Sequence, residues 1–99
     1  MTGKLLVVGA RVQAQAGKEN DLREALRALI GPTRQEAGCV QYDLHEDLDQ
    51  PGSFLFFEKW TSKQALDAHL AMPYVKAMFA RVPELVQGEP VIALYEQIG

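Results

Sequence analysis

Cys39-Val40-Gln41-Tyr42-Asp43-Leu44-His45-Glu46-Asp47 and Ser53-Phe54-Leu55-Phe56-Phe57-Glu58-Lys59-Trp60-Thr61 flank five residues, Leu48-Asp49-Gln50-Pro51-Gly52. Both flanks read as extended segments, and the Asp, Pro and Gly between them are turn chemistry. An antiparallel hairpin is expected. Successive side chains of a strand point to opposite faces, so Phe54, Phe56, Glu58 and Trp60 share one face and Leu55, Phe57 and Lys59 the other. If the hairpin closes across Gln50 and Ser53, His45 falls opposite Glu58 as a cross-strand polar pair.

Outward from the hairpin, four further elements can be placed. Upstream, Leu22, Ala25, Leu26, Leu29 and Ile30 form one helical stripe. Gly31-Pro32 should disturb it, with a further turn running to Gly38, which reads as its C-terminal cap. Before that helix, Leu5 to Val12 is a β-rich run. Downstream, Thr61-Ser62-Lys63-Gln64 has the spacing of a capping box with Thr61 as cap. Ala65, Leu66, His69 and Leu70 follow on one helical face, and after Pro73 a second stripe holds Tyr74, Val75, Met78, Phe79 and Val82. Gly88-Glu89-Pro90 then punctuates the chain before a last strand, Val91 to Glu96. The order is β-α-β-β-α-β, a ferredoxin-like split βαβ motif of α+β class, in which a four-stranded antiparallel sheet carries helices on one face only. The uncovered face needs a cover, because soluble monomers rarely leave so large an apolar patch in water. A homodimer joined sheet to sheet is therefore expected.

The chain has 99 residues, enough for one modest core, and is read as a single domain over 1–99. Its 47% hydrophobic and 23% charged residues match ordinary globular usage and exclude disordered or coiled-coil readings. A net charge of −3 lacks the basic field that binding phosphates requires, so no nucleic acid is expected. No apolar run is long enough to span a bilayer and none resembles an export signal. The single cysteine, Cys39, has no partner for an internal disulfide. A cytoplasmic location without membrane attachment is expected.

The run Glu36-Ala37-Gly38-Cys39-Val40-Gln41-Tyr42-Asp43-Leu44-His45, the strand Phe54 to Trp60 ending Glu58-Lys59-Trp60, and the helix Ala65-Leu66-Asp67-Ala68-His69-Leu70 resemble, in that order, the pattern of the antibiotic biosynthesis monooxygenase family. The resemblance implies a dimeric α+β barrel with a cavity in each subunit between sheet and helices. Several members similar to this chain oxidise quinols or anthrone-like polyketides with O₂, using no metal, flavin or haem. Others degrade haem or isomerise small phosphorylated sugars. The haem-degrading branch uses an Asn on strand one and a Trp and a His in the second helical region. Here strand one has no Asn, and those helical positions hold His69 and Phe79. Fold alone does not settle the reaction.

The residues themselves admit two readings each. His69, in an apolar stripe beside Leu66 and Leu70, is either a cavity imidazole that moves a proton or a satisfied core histidine. Glu58 and His45 are either a base oriented by its partner or a structural pair at the dimer interface. Trp60 is an aromatic wall or core packing, and Tyr74, Met78 and Phe79 line an apolar pocket or the core. Tyr42 has the parity of Val40 and Leu44, so it serves the face away from His45. Arg11, the one charge inside strand one, either binds an anionic substrate or, as the favoured reading, pairs with a carboxylate at a sheet edge. Cys39 is explained by packing, and the two histidines lack ligand spacing, so no metal is expected.

The expected site has His69 as proton acceptor, Glu58 and His45 next, and Trp60, Tyr74, Met78, Phe79 and Phe56 as substrate walls, with no cofactor. The function expected from the resemblance is oxidation of a small aromatic quinol, phenol or anthrone by O₂. An isomerase using the same pocket is an alternative, with Lys76 and Arg81 as anchors for a phosphorylated substrate. So is a non-catalytic ligand-binding dimer.

Overall fold

In the computed structural model, which describes residues 4–99, the elements run β1 (Leu6–Gln13), α1 (Glu19–Arg27), α2 (Ile30–Arg34), β2 (Cys39–Glu46), β3 (Ser53–Trp60), α3 (Lys63–Leu70), α4 (Pro73–Ala80), α5 (Val82–Leu85) and β4 (Val91–Glu96). The first three residues of the expected 1–99 domain lie outside the described residues. The strands form one antiparallel sheet in the order β2-β3-β1-β4. This is the expected ferredoxin-like α+β arrangement. No helix among the described residues is long and apolar enough to cross a membrane.

The helices pack on the face where Val8, Phe54, Phe56 and Trp60 point, closing a core with Leu22 and Leu26 of α1, Leu66 of α3 and Leu85 of α5. Helix α1 has no side-chain cap. Its apolar stripe holds it instead, since burying each leucine is worth roughly 1.5–3 kcal/mol against about 1 for a cap. The opposite face of the sheet carries Val7, Gly9, Arg11, Leu55, Phe57, Val91, Ala93 and Tyr95 and no helix. Arg11 is exposed there and makes no ion pair among the described residues, so the expected carboxylate partner is absent.

Four local expectations need correction. The helix breaks at Ala28 and Leu29 rather than at Gly31-Pro32, because a proline lacks the N–H that would close on the residue four back; Pro32 instead sits in the first turn of α2, where that donor is not needed. Helix α2 ends at Arg34 and is closed by Gln35, so Gly38 is not its cap. The cap of α3 is Ser62, whose Oγ accepts from the Ala65 N–H at 3.1 Å, one residue later than the expected Thr61.

The fourth correction is the hairpin register. Asp47 Oδ1 accepts from the backbone N–H of Asp49 at 2.8 Å and of Gln50 at 3.2 Å, which coils the connection and brings the Asp47 N–H to the Ser53 carbonyl at 2.9 Å. Closure across Asp47 and Ser53 sets His45 opposite Leu55 and Tyr42 opposite Glu58. The expected His45–Glu58 pair does not form. A bulge at Val40 then restores Cys39 to the position opposite Trp60. The parity of β3 is as expected, with Phe54, Phe56, Glu58 and Trp60 all buried.

Gly38 has a different use from the expected cap. It adopts φ +88°, and a Cβ there would lie 2.6 Å from Ala65 Cβ and 2.8 Å from Thr61 Oγ1. Only glycine lets the turn before β2 lie flat against the start of α3. Gly38→Ala is expected to destabilise the fold by about 2–4 kcal/mol, from left-handed backbone strain and overpacking together, measured by urea denaturation.

Candidate active site

Strand parity, the stripe of α3 and the turn before β2 converge on one cavity. Its walls are Val8 and Val12 of β1, Tyr42 of β2, Phe56 and Glu58 of β3, Leu66 and His69 of α3, Val75, Met78 and Phe79 of α4, Leu26 of α1, and Leu29 just after it. Leu70, Phe79 and Ile92 are the exposed lining residues, at 38%, 43% and 45%, and they form the mouth. The cavity measures about 90 Å³. An apolar void of about 150 Å³ is enough to admit benzene, so an aromatic guest enters only as the mouth side chains move aside.

His69 occupies the inner wall because the α3 stripe turns toward the sheet. Its Nδ1 lies 2.9 Å from Glu36 Oε2, and the two side chains are only 4% and 5% exposed. The Tyr74 hydroxyl donates to the same Glu36 oxygen. A carboxylate oxygen at this position can accept from an Nδ1–H imidazole, an arrangement that leaves Nε2 as the free ring nitrogen. The His69 ring also packs against Trp60, with centroids 4.8 Å apart, and against the edge of Tyr42 at 5.5 Å. Tyr42 in turn stacks on Phe56 at 4.5 Å.

Glu58 is the second polar group of the cavity. Its Oε1 accepts from Trp60 Nε1 at 2.9 Å, two residues along the same strand face. Burial pushes its carboxyl above the ordinary range, and Glu36 adds to that, while the Trp60 N–H and His69 oppose it. Burial likewise pushes the Tyr42 phenol up, with Glu58 adding to the effect. The Tyr74 phenol is pushed up to about 12 by burial and by its bond to Glu36. Both phenols stay protonated at neutral pH. The sealed Thr33 hydroxyl lies near these phenols but meets hydrogen-bond geometry with neither. Burial and Glu36 raise the Cys39 thiol, which disfavours a reactive thiolate. Among the described residues no three of His, Cys, Asp and Glu converge as they would around a metal ion.

Of the residues singled out from sequence, His69, Glu58, Phe56, Met78 and Phe79 meet at this cavity. Trp60 is fully buried behind it as support for Glu58 and His69 and does not line it. Tyr74 reaches Glu36 rather than the cavity. His45 is exposed and paired with Leu55, away from the cavity, so it takes no part in this site. Sequence reasoning missed Glu36 and the wall role of Tyr42. Glu36 stood inside the quoted run before Gly38, but nothing local marked it as the partner of a histidine 33 positions on.

A profile of the family described as antibiotic biosynthesis monooxygenase matches residues 5–81. The chain belongs to this family. It is 40% identical over 86 residues to Rv0793 of Mycobacterium tuberculosis, whose name carries a provisional monooxygenase assignment, covering 87% of this chain and 83% of that one. The solved structure of Rv0793 superposes with a TM-score of 0.90 at 34% identity, covering 96% of each chain. That of PA3566 from Pseudomonas aeruginosa gives a TM-score of 0.95 at 30% identity, over 100% of this chain and 99% of the other. A Synechocystis protein, sll1783, is 32% identical over 91 residues; this chain is 92% covered but spans only 62% of that relative's length.

The raised carboxyl of Glu58 has a consequence for stability. A carboxyl whose folded pKa exceeds its unfolded value binds its proton more tightly when folded, so its contribution is greatest at low pH. That contribution is lost as pH rises from about 4.3 through the folded value. Glu58→Gln removes the penalty and keeps an acceptor for Trp60. Thermal melts from about pH 4 to 8 are expected to show the variant gaining stability relative to the parent as pH rises.

Proposed function

We propose that this member of the monooxygenase family oxidises an uncharged, electron-rich aromatic molecule of the quinol, phenol or anthrone type with O₂, without a bound cofactor. The observation that carries the reading is His69, held at Nδ1 by Glu36 and left with Nε2 beside an apolar cavity. Such a site can take one proton from a flat substrate and keep water away from the resulting anion.

For an anthrone methylene the balance closes without a further reductant. His69 takes a proton, the carbanion passes one electron to O₂, and the radical pair joins as a peroxide at carbon. Loss of water then leaves the ketone, so that R₂CH₂ and O₂ become R₂CO and H₂O. The substrate supplies every electron. Burial raises the Glu58 carboxyl and so favours its neutral form, which can donate a hydrogen bond to the developing oxyanion.

The cavity walls include no Lys or Arg, Lys76 is exposed, and Arg81 is exposed and engaged with Glu84. This charge pattern favours a neutral substrate over the phosphorylated substrate of an isomerase. The free Cys39 suits a reducing cytoplasm. We further propose that a second copy of the chain covers the open sheet face, where Leu55, Phe57, Val91 and Tyr95 present apolar surface.

Oxygen uptake with a panel of hydroquinones, naphthols and anthrone is the test of the reaction. Uptake above buffer is expected with at least one, and His69→Ala is expected to lower kcat by roughly 10²–10⁴-fold with the fold intact. No uptake across the panel would leave the cavity as a ligand-binding site and overturn the oxidation. Light scattering tests the pairing separately: the parent is expected at twice the mass of one chain, and Phe57→Glu at the mass of one.

A further inference from the structure

We infer that Glu36 is a positioning residue that fixes the tautomer of His69 and so makes Nε2 the proton-accepting nitrogen. The inference rests on the proposed role of His69 as base. Its grounds are geometric. Glu36 and His69 come from different segments, the turn before β2 and the last turn of α3, and their side chains meet at 2.9 Å with almost no exposure. A neutral imidazole has one N–H and one lone pair, and free in water it exchanges between the two arrangements. A buried carboxylate at Nδ1 accepts only from the Nδ1–H form. The same carboxylate then steadies the imidazolium that forms when Nε2 takes a proton.

Two further contacts show that the carboxylate is itself held. The Tyr74 hydroxyl donates to the same Oε2, fixing that oxygen between α4 and α3. The backbone around it is fixed too: the Cys39 N–H donates to the Glu36 carbonyl at 3.2 Å, and the Thr61 N–H to the Gly38 carbonyl at 2.9 Å. Gly38 is the residue that permits this turn to touch α3 at Ala65. A carboxylate buried only for packing would be replaced cheaply by an apolar side chain of similar size, since desolvating a charge is costly. Here one of its hydrogen bonds instead goes to His69, which lines the cavity, and the other comes from Tyr74, which holds the carboxylate in place behind it. Glu58 is the other buried carboxyl near His69, but its hydrogen bond goes to Trp60, not to the imidazole.

The experiment reads the tautomer directly, by the ¹⁵N shifts of the His69 ring in the intact protein, and reads kcat and KM alongside. In the parent, Nε2 is expected to give the signal of an unprotonated nitrogen. Glu36→Gln keeps an acceptor at Nδ1, so the tautomer is expected to persist while kcat falls about 10-fold, because the charge facing the imidazolium is gone. Glu36→Ala is expected to give mixed tautomers and a kcat lower by about 100-fold or more, with KM changed less than about 3-fold. Tyr74→Phe leaves the carboxylate on Nδ1 and is expected to keep the tautomer. Thermal melts identify any variant that fails to fold, and Glu36→Gln, nearly isosteric, keeps the comparison open if Glu36→Ala does. A parent spectrum with the hydrogen on Nε2, an unchanged tautomer in Glu36→Ala, or loss of the tautomer in Tyr74→Phe would overturn the assignment. Because the ring shifts need no turnover, they decide the role of Glu36 even if the oxidation proposed for the site is wrong.

Discussion

The alternation of side chains along β3 is the constraint on which the rest depends. The strand lies between β2 and β1, so its backbone is paired on both edges and its register cannot slide without moving the whole sheet. A shift of one residue would send Phe54, Phe56, Glu58 and Trp60 to the open face and bring Leu55, Phe57 and Lys59 under the helices. Trp60 is the largest of the fully buried side chains, which makes that shift prohibitive. The same alternation carries Glu58 inward with the aromatics. A carboxyl is thus placed in the core by the strand that builds the core.

Placing it there is costly unless it is satisfied, and the neighbours of Glu58 are arranged accordingly. The Trp60 N–H supplies one hydrogen bond from the same face, and burial raises the carboxyl, which favours its neutral form. At the cavity, His69 is tied to Glu36, which Tyr74 also holds, and Glu58 is tied to Trp60. The remaining walls are aliphatic or aromatic. An apolar chamber with a small number of oriented polar groups is the usual form of a site for a flat organic molecule. The helices that make it are short and broken at Ala28, at Ala71 and at Arg81, and α4 carries Phe79 to the mouth. Opening the mouth therefore needs rotation of side chains, not unfolding of an element.

Much of this was legible in the sequence because it depends on local period. The strand and helix order, the parity of β3 and the inward stripe containing His69 follow from spacings of two, three and four residues. The errors arose where a local signal had two outcomes. A turn rich in Asp, Pro and Gly closes at more than one pair of residues, and the Asp47 side chain chose the longer loop, which removed His45 from Glu58. Proline ends a helix or begins one, and Pro32 begins one. Glu36 was illegible for another reason: its partners His69 and Tyr74 lie 33 and 38 positions away, and only the packing of the turn against α3 and α4 brings them together. Trp60 shows the limit from the other side, since strand parity placed it on the right face but could not tell a wall from the packing behind the wall.

The account's central claim is that the cavity beside His69 receives an uncharged aromatic molecule, and the chain carries its own control. It has two histidines, one lining the cavity and one exposed away from it. Ring signals of both can be followed by NMR while hydroquinones, naphthols and anthrone are added without oxygen. The account predicts saturable shifts of the His69 ring with at least one of these, while the His45 ring stays still. Shifts confined to His45, or no shift of His69 with any of them, would contradict it.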